Sequence, residues 1–362
     1  MKKPMLTIIL IAGVALVVGL AACKKAEVRL AYPETKKVDQ VDDYFGTKVA
    51  DPYRWLEDDN AEDTKAWVEA QNKVTFGYLE TIPYRPAIKA RLTDIFNYPR
   101  YSSPFRVGEN YFFSKNDGLQ NQSVTYIQKG LDGPPEVFID PNALSPDGTI
   151  RVGLLGPSLD DKYMAVSRGE AGSDWSEIRV MDIATKQELP DRILWNKFSG
   201  AAWRGDGFYY SGYDKPAPGE ELKAKNEFQK VFYHKLGDPQ EKDVLVWEDK
   251  EHPLRYVGAG TTEDEKWLIL SVSEGTSGSE VWVQDLTKKN APFTLLFKGF
   301  EYDAAPLEVV DGKFLVHTNH GAPNFRVVAI DPADAAPEKW ATIVPEKPEV
   351  LSGAGTAGGY LF

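Results

Sequence analysis

The sequence predicts a mainly β protein: an incomplete β-propeller of about five to six blades, preceded by an α-helical segment. Two observations carry this. A hydrophobic strand with aromatics is followed, after a turn-rich gap, by an alternating strand, and this pairing recurs. Tyr111-Phe112-Phe113-Ser114 pairs with Val124-Thr125-Tyr126-Ile127, and Tyr163-Met164-Ala165-Val166-Ser167 with Ile178-Arg179-Val180-Met181-Asp182. Phe208-Tyr209-Tyr210 pairs with Lys230-Val231-Phe232-Tyr233-His234. Trp267 to Val272 pairs with Val281 to Asp285, and Phe314 to His317 with Arg326 to Asp331. Leading strands restart roughly every 45 to 60 residues, near the period of a four-stranded blade. Second, 24 Pro and 30 Gly in 362 residues suit short strands and turns and not a helix bundle. A two-sheet sandwich could use such strands but would not need the repeat.

The first residues bear on the compartment. Lys2 and Lys3 precede an apolar run, Leu6 to Ala22, that ends in small residues immediately before Cys23, the only cysteine. This resembles a bacterial lipoprotein signal in which Cys23 is acylated, with residues 1–22 as the signal and 23–31 as a tether. It implies a bacterial envelope protein held to a membrane by lipid. A plain membrane anchor, or a secretory signal with an incidental cysteine, would read similarly.

Residues 32–100 read as helical. Trp67, Ala70, Val74 and Tyr78 fall on one helix face, and a second helix runs from Pro86 through Ile88, Leu92, Ile95 and Phe96. Inside this region lies Asp51-Pro52-Tyr53-Arg54-Trp55-Leu56-Glu57-Asp58. Asp-Pro starts a turn, and one guanidinium then sits between two aromatic faces and a run of acids. Asp51, Pro52, Tyr53, Arg54 and Trp55 read as a structural knot near a domain boundary. After Pro99 the periodicity turns from helical to alternating, so residues 101–362 are assigned to the propeller, and Gly359-Tyr360-Leu361-Phe362 reads as a sixth blade cut off mid-strand. The net charge of −12 leaves no basic patch for phosphates, which argues against nucleic acid as a partner.

Asp51-Pro52-Tyr53-Arg54-Trp55-Leu56-Glu57 resembles the signature near the start of prolyl oligopeptidases, serine endopeptidases that cut short peptides after proline. Gly118-Leu119-Gln120-Asn121-Gln122, Gly172-Ser173-Asp174-Trp175, Phe198-Ser199-Gly200-Ala201-Ala202-Trp203 and Thr318-Asn319-His320-Gly321-Ala322-Pro323-Asn324 resemble the same family, in its order. The resemblance implies a seven-bladed propeller inserted into an α/β-hydrolase. The helical segment would then belong to the hydrolase, and the propeller would act as a size filter over the active site. It also implies that short proline-containing peptides and the missing hydrolase domain are partners, and that no cofactor is used. Through the neighbouring motifs, the resemblance puts propeller residues of the substrate pocket at Val180, Tyr256 and Thr276.

No Gly-x-Ser-x-Gly elbow occurs in the chain, and Gly172-Ser173-Asp174 and Gly275-Thr276-Ser277-Gly278 read as turns. His234, His252, His317 and His320 lack metal-binding spacing, and His320 reads as loop-shaping. The expected reading is the N-terminal part of a prolyl oligopeptidase, itself inactive, with the catalytic triad beyond Phe362. A stand-alone propeller acting as a binding module, or a related oligopeptidase cutting after basic residues, are the rival readings.

Overall fold

The computed structural model describes residues 30–145, 147–221 and 224–362, so the expected signal segment and Cys23 lie outside the described residues. The chain divides into two compact units, one ending at Asn97 and the other running Tyr98–Phe362.

The first unit opens with an antiparallel hairpin, β1 (Val41–Tyr44) and β2 (Thr47–Ala50), where the sequence predicted helix. Its turn residues Phe45 and Gly46 both take positive φ, 54° and 89°. That is the backbone twist a two-residue hairpin needs. A 3-10 turn, Arg54–Glu57, leads to α1 (Glu62–Glu80) and α2 (Arg85–Phe96). Glu62 and Asp63 sit in the first turn of α1, where the helix dipole favours negative charge. Both helices fall where the periodicity predicted them. The apolar stripe of α2 stays uncovered, with Ile88, Leu92, Ile95 and Phe96 all exposed, whereas Trp67, Ala70 and Val74 of α1 are half-buried.

The second unit is a succession of antiparallel sheets. In the first, β3 (Arg100–Tyr101) and β4 (Phe105–Val107) share one edge of β5 (Asn110–Asn116), followed by β6 (Val124–Lys129) and β7 (Glu136–Ile139). A single helical turn, α3 (Pro141–Leu144), capped by the Asp140 side chain, leads out of it. The second sheet is β8 (Ile150–Pro157), β9 (Tyr163–Glu170), β10 (Ser176–Asp182) and β11 (Glu188–Asn196). The third is β12 (Ala202–Arg204), β13 (Gly207–Gly212), β14 (Lys230–Lys235) and β15 (Val244–Trp247). The fourth is β16 (Tyr256–Thr261), β17 (Trp267–Ser273), β18 (Glu280–Asp285) and β19 (Thr294–Phe297). The fifth is β20 (Ala304–Val310), β21 (Lys313–Thr318), β22 (Arg326–Ile330) and β23 (Ala341–Val344). A two-stranded sheet, β24 (Thr356–Ala357) with β25 (Tyr360–Leu361), completes the described chain. Sheets two to five each keep sequence order across the sheet, the meander of a propeller blade.

The core lies between sheets. Phe112, Ile127 and Phe138 of the first sheet meet Met164, Val166 and Met181 of the second. The other face of the second sheet, with Ala165, Ile178, Val180 and Ile193, packs on Trp203, Phe208 and Tyr210 of the third. Tyr209 and Val231 meet Val257, Leu268 and Leu270, and Val281, Val283 and Phe297 meet Phe314, Val316 and Val328. Strand alternation explains this directly, since successive side chains point to opposite faces and each middle strand therefore serves two layers. Polar bolts join the same neighbours. The Trp203 indole donates to the Gly156 carbonyl at 3.0 Å, and the Thr261 hydroxyl donates to the Trp203 carbonyl at 2.9 Å.

Candidate functional site

In a four-stranded antiparallel meander, the turn between the second and third strands and the exit of the fourth strand leave at the same end. Each exit leads into the first strand of the next sheet, which carries that end onward along the unit. The segments singled out in the sequence gather there. Gly118–Gln122 lies between β5 and β6, Gly172–Trp175 between β9 and β10, and Phe198–Gly200 between β11 and β12. Gly275 and Thr276 lie between β17 and β18, and His320 lies between β21 and β22.

Aromatic side chains organise this face. Trp175 makes edge contacts with Trp195 and Tyr213 at centroid distances of 5.7 and 6.0 Å. Its indole donates to the Glu221 carbonyl at 2.6 Å. Lys197 places Nζ 4.0 Å from the Trp175 ring centroid and donates to Asn226 Oδ1 at 2.9 Å. Only 8% of Lys197 is exposed, and burial pushes its ammonium below the ordinary lysine range, against the pull of Asp174. Burial also raises the Tyr213 phenol to about 12. Beside this cluster lies a cavity of about 300 Å³, bounded by Trp175, Trp195, Arg168, Glu170, Glu177 and Arg192.

Toward the fourth and fifth sheets the face changes character. Phe198 is 64% exposed at φ 53° and meets Tyr256 edge-on at 5.9 Å. Arg255 pairs with Asp249 at 3.1 Å and Glu274 at 2.6 Å while lying over the Phe300 ring. Gly278, at φ 77°, donates its amide to Asp303 Oδ1 at 2.7 Å. A Cβ there would meet the Phe300 carbonyl oxygen at 1.8 Å, so only glycine fits. His320 sits among Tyr302, Trp340 and Phe297, its Nδ1 without a partner, as a loop-shaping residue packed by aromatics.

The three residues placed in the substrate pocket by resemblance are not brought together. Tyr256 and Thr276 lie at the loop face, Tyr256 at the first residue of β16 and Thr276 exposed in the β17–β18 turn. Val180, by contrast, stands away from the loop face among the described residues. It is fully buried in the layer between the second and third sheets, because it shares the face of Ile178 in β10. Lys197 and Tyr213 went unread in the sequence. Lysine ordinarily marks a solvated surface, and the one available signal was its place directly before the Phe198-Ser199-Gly200 motif.

In the first unit the Asp51–Trp55 signature forms a knot. The Arg54 guanidinium holds Asp42, Asp51 at 2.7 Å and Glu57 at 3.3 Å. Its proximity keeps the Asp51 carboxyl below the usual carboxylate range. The Pro52 carbonyl accepts from Val38, the Trp55 indole donates to the Lys36 carbonyl, and the Thr64 hydroxyl of α1 donates to the Trp55 carbonyl. Tyr53 stays exposed. The Ser173 hydroxyl accepts from the Trp175 amide at 3.1 Å, a turn contact. Among the described residues, no group of His, Cys, Asp and Glu forms a metal site.

Radial meanders sharing interlayer cores, with sequence motifs collected at one end, define a β-propeller domain. The family model described as prolyl oligopeptidase, N-terminal beta-propeller domain, matches residues 33–362, and the chain belongs to that family. It is 43% identical over 334 residues to the prolyl endopeptidase of Elizabethkingia miricola, covering 92% of this chain and 47% of that protein. It is 32% identical to prolyl oligopeptidase A of Amanita bisporigera, covering 83% of this chain and 44% of that one. A solved structure from a study of two prolyl endopeptidases aligns at TM-score 0.81 and 30% identity, over 91% of this chain and 49% of the other. Prolyl oligopeptidase B of Galerina marginata, bound to a 35-residue hydrolysis and macrocyclization substrate, aligns at 0.77 and 28% identity, over 92% and 50%. The chain thus spans about half the length of the curated relatives it matches.

Proposed function

We propose that this chain is the propeller-bearing N-terminal portion of a serine-type endopeptidase that cleaves short peptides after proline. Its Ser-Asp-His triad would be carried by an α/β-hydrolase domain encoded downstream. The observation that carries this reading is the convergence of the family motifs on one end of the sheets, where Phe198, Tyr256 and Thr276 offer aromatic and small polar surface to an extended peptide. The propeller would limit access by size, and residues 32–100 would pack on the hydrolase, which suits the uncovered stripe Ile88, Leu92, Ile95 and Phe96. Acylation at Cys23 would hold the enzyme to a membrane of the bacterial envelope.

The test is hydrolysis by the full-length product of fluorogenic peptides bearing proline or arginine before the scissile bond, in a series of increasing length. Cleavage after proline that fades with peptide length is expected. Preference for arginine would favour an oligopeptidase of the basic-residue type. No cleavage, with tight peptide binding, would favour a binding module.

A further inference from the structure

The joint between the second and third sheets holds a histidine that the proposed peptidase role leaves unused. His234 on β14 is fully buried. Its Nδ1 lies 2.7 Å from Asp243 Oδ1 and its Nε2 lies 3.0 Å from Asp191 Oδ1. Asp191 belongs to β11, the outer strand of the second sheet, whereas Asp243 immediately precedes β15, the outer strand of the third. The contact thus ties two neighbouring sheets through one ring. Both carboxylates are themselves almost dry, with side chains 2% and 3% exposed. The Gly237 amide donates to Asp191 Oδ1 at 2.6 Å, and the Tyr210 hydroxyl donates to Asp243 Oδ2 at 2.8 Å.

A neutral imidazole has one N–H and one lone pair. It can satisfy one carboxylate, but its other nitrogen would then oppose a second oxygen lone pair where no water competes. With both nitrogens protonated, each contact becomes a charge-assisted hydrogen bond. We propose that a proton held on His234 bolts the second sheet to the third, so that this joint of the propeller weakens in alkaline solution.

The neighbourhood supports the assignment. Burial works against the charge, yet the carboxylates of Asp243 and Asp191 more than offset it and hold His234 above its ordinary value. The Phe208 ring packs on the imidazole at 5.4 Å and carries no charge. Arg192, Asp238 and Glu241 line the adjoining cavity with Asp191. Of these, Arg192 is engaged by Glu177, and Asp238 pairs with Lys242 at 3.3 Å. On the same strand Lys235 pairs with Asp206 at 2.9 Å, at the surface. The sign follows from linkage. A released histidine titrates near about 6.5, so the bolt is fully present below that pH and is lost as pH rises through the higher value of the closed state.

The experiment uses the whole chain with ¹⁵N-labelled histidine, the four ring signals being assigned by replacing His252, His317 and His320 in turn. At pH 6, His234 should show two protonated ring nitrogens. Amide exchange at β11 and β14, corrected for its intrinsic pH dependence, should lose protection up to about tenfold per pH unit between about pH 6.5 and the higher value of the closed state, and level off beyond it. In Asp243→Asn, the new side-chain amide can donate to Nδ1 from the place of Oδ1 while its oxygen still accepts from Tyr210 and Nε2–H donates to Asp191, so a neutral ring is satisfied and the pH slope should vanish. A neutral His234 at pH 6, or an unchanged slope in Asp243→Asn, would overturn the proposal. Should that variant not fold, the ring nitrogens of the parent chain decide it.

Discussion

Phe314→Ala tests whether the stability of the propeller resides between its sheets. Phe314 is fully buried on β21, in the layer shared with Val281, Val283 and Phe297, and meets Trp267 edge-on at 5.1 Å. Truncating such a ring removes its transfer energy and leaves a cavity, together about 3–5 kcal/mol. The edge contact with Trp267 accounts for roughly 0.5–1.5 kcal/mol of that. Phe198→Ala is the matched control, the same chemical deletion at a site 64% exposed, where at most about 1 kcal/mol is expected. Equilibrium urea unfolding followed by tryptophan fluorescence measures both, with amide exchange at β18 and β21 locating the loss. A loss below about 1.5 kcal/mol for Phe314→Ala, or equal losses for the two variants, would refute the interlayer account.

Gly278→Ala should lower the melting temperature and loosen the β17–β18 turn, because its Cβ would collide with the Phe300 carbonyl; an unchanged melt would contradict this geometry. Arg54→Met should speed amide exchange in β1 and β2, since Asp42, Asp51 and Glu57 lose their shared partner. The Asp51 carboxyl is depressed by Arg54, so the parent knot should hold above about pH 4 and fail as pH falls through the lowered value, whereas the variant should show no such step. If the proposed full-length peptidase uses Tyr256 in its pocket, Tyr256→Ala should raise KM several-fold for short peptides with kcat little changed, and an unaltered KM would refute that placement. Cys23→Ser should move the protein out of the membrane fraction, and continued membrane partitioning would refute acylation there.

The middle strands of every blade were legible because they are written in large apolar and aromatic residues: Phe112 and Phe113 in β5, Leu268 and Leu270 in β17, Val327 and Val328 in β22. Two first strands escaped because glycine replaces the pattern, at Gly153 and Gly156 in β8 and at Gly258 and Gly260 in β16, and β4 and β12 escaped because they are three residues long. Four of the fourth strands escaped because they are only four residues long and partly exposed, as Val244 and Leu245 in β15 show, whereas the nine-residue β11 hides its pattern behind Glu188, Asp191 and Arg192. The hairpin β1–β2 went unread for a related reason: with all but Asp42 of its eight residues exposed, no buried face forces an alternation. The resemblance picked out segments that lie at the loop face, but it could not orient a side chain. Val180 stands near Trp175 in sequence, yet strand geometry turns it into the core. Lys197 and His234 are titratable groups hidden by tertiary packing, and no local pattern announces that.

Each apolar layer is owned jointly by two neighbours, which sets the unit in which this molecule can change. A single sheet cut free would shed its lining on both sides, so the smallest piece that keeps a whole layer intact is a neighbouring couple with the hydrocarbon between them. Lengthening or shortening the array is therefore tolerable only by whole sheets, and damage inside one layer should spread sideways to its co-owner before it travels along the chain.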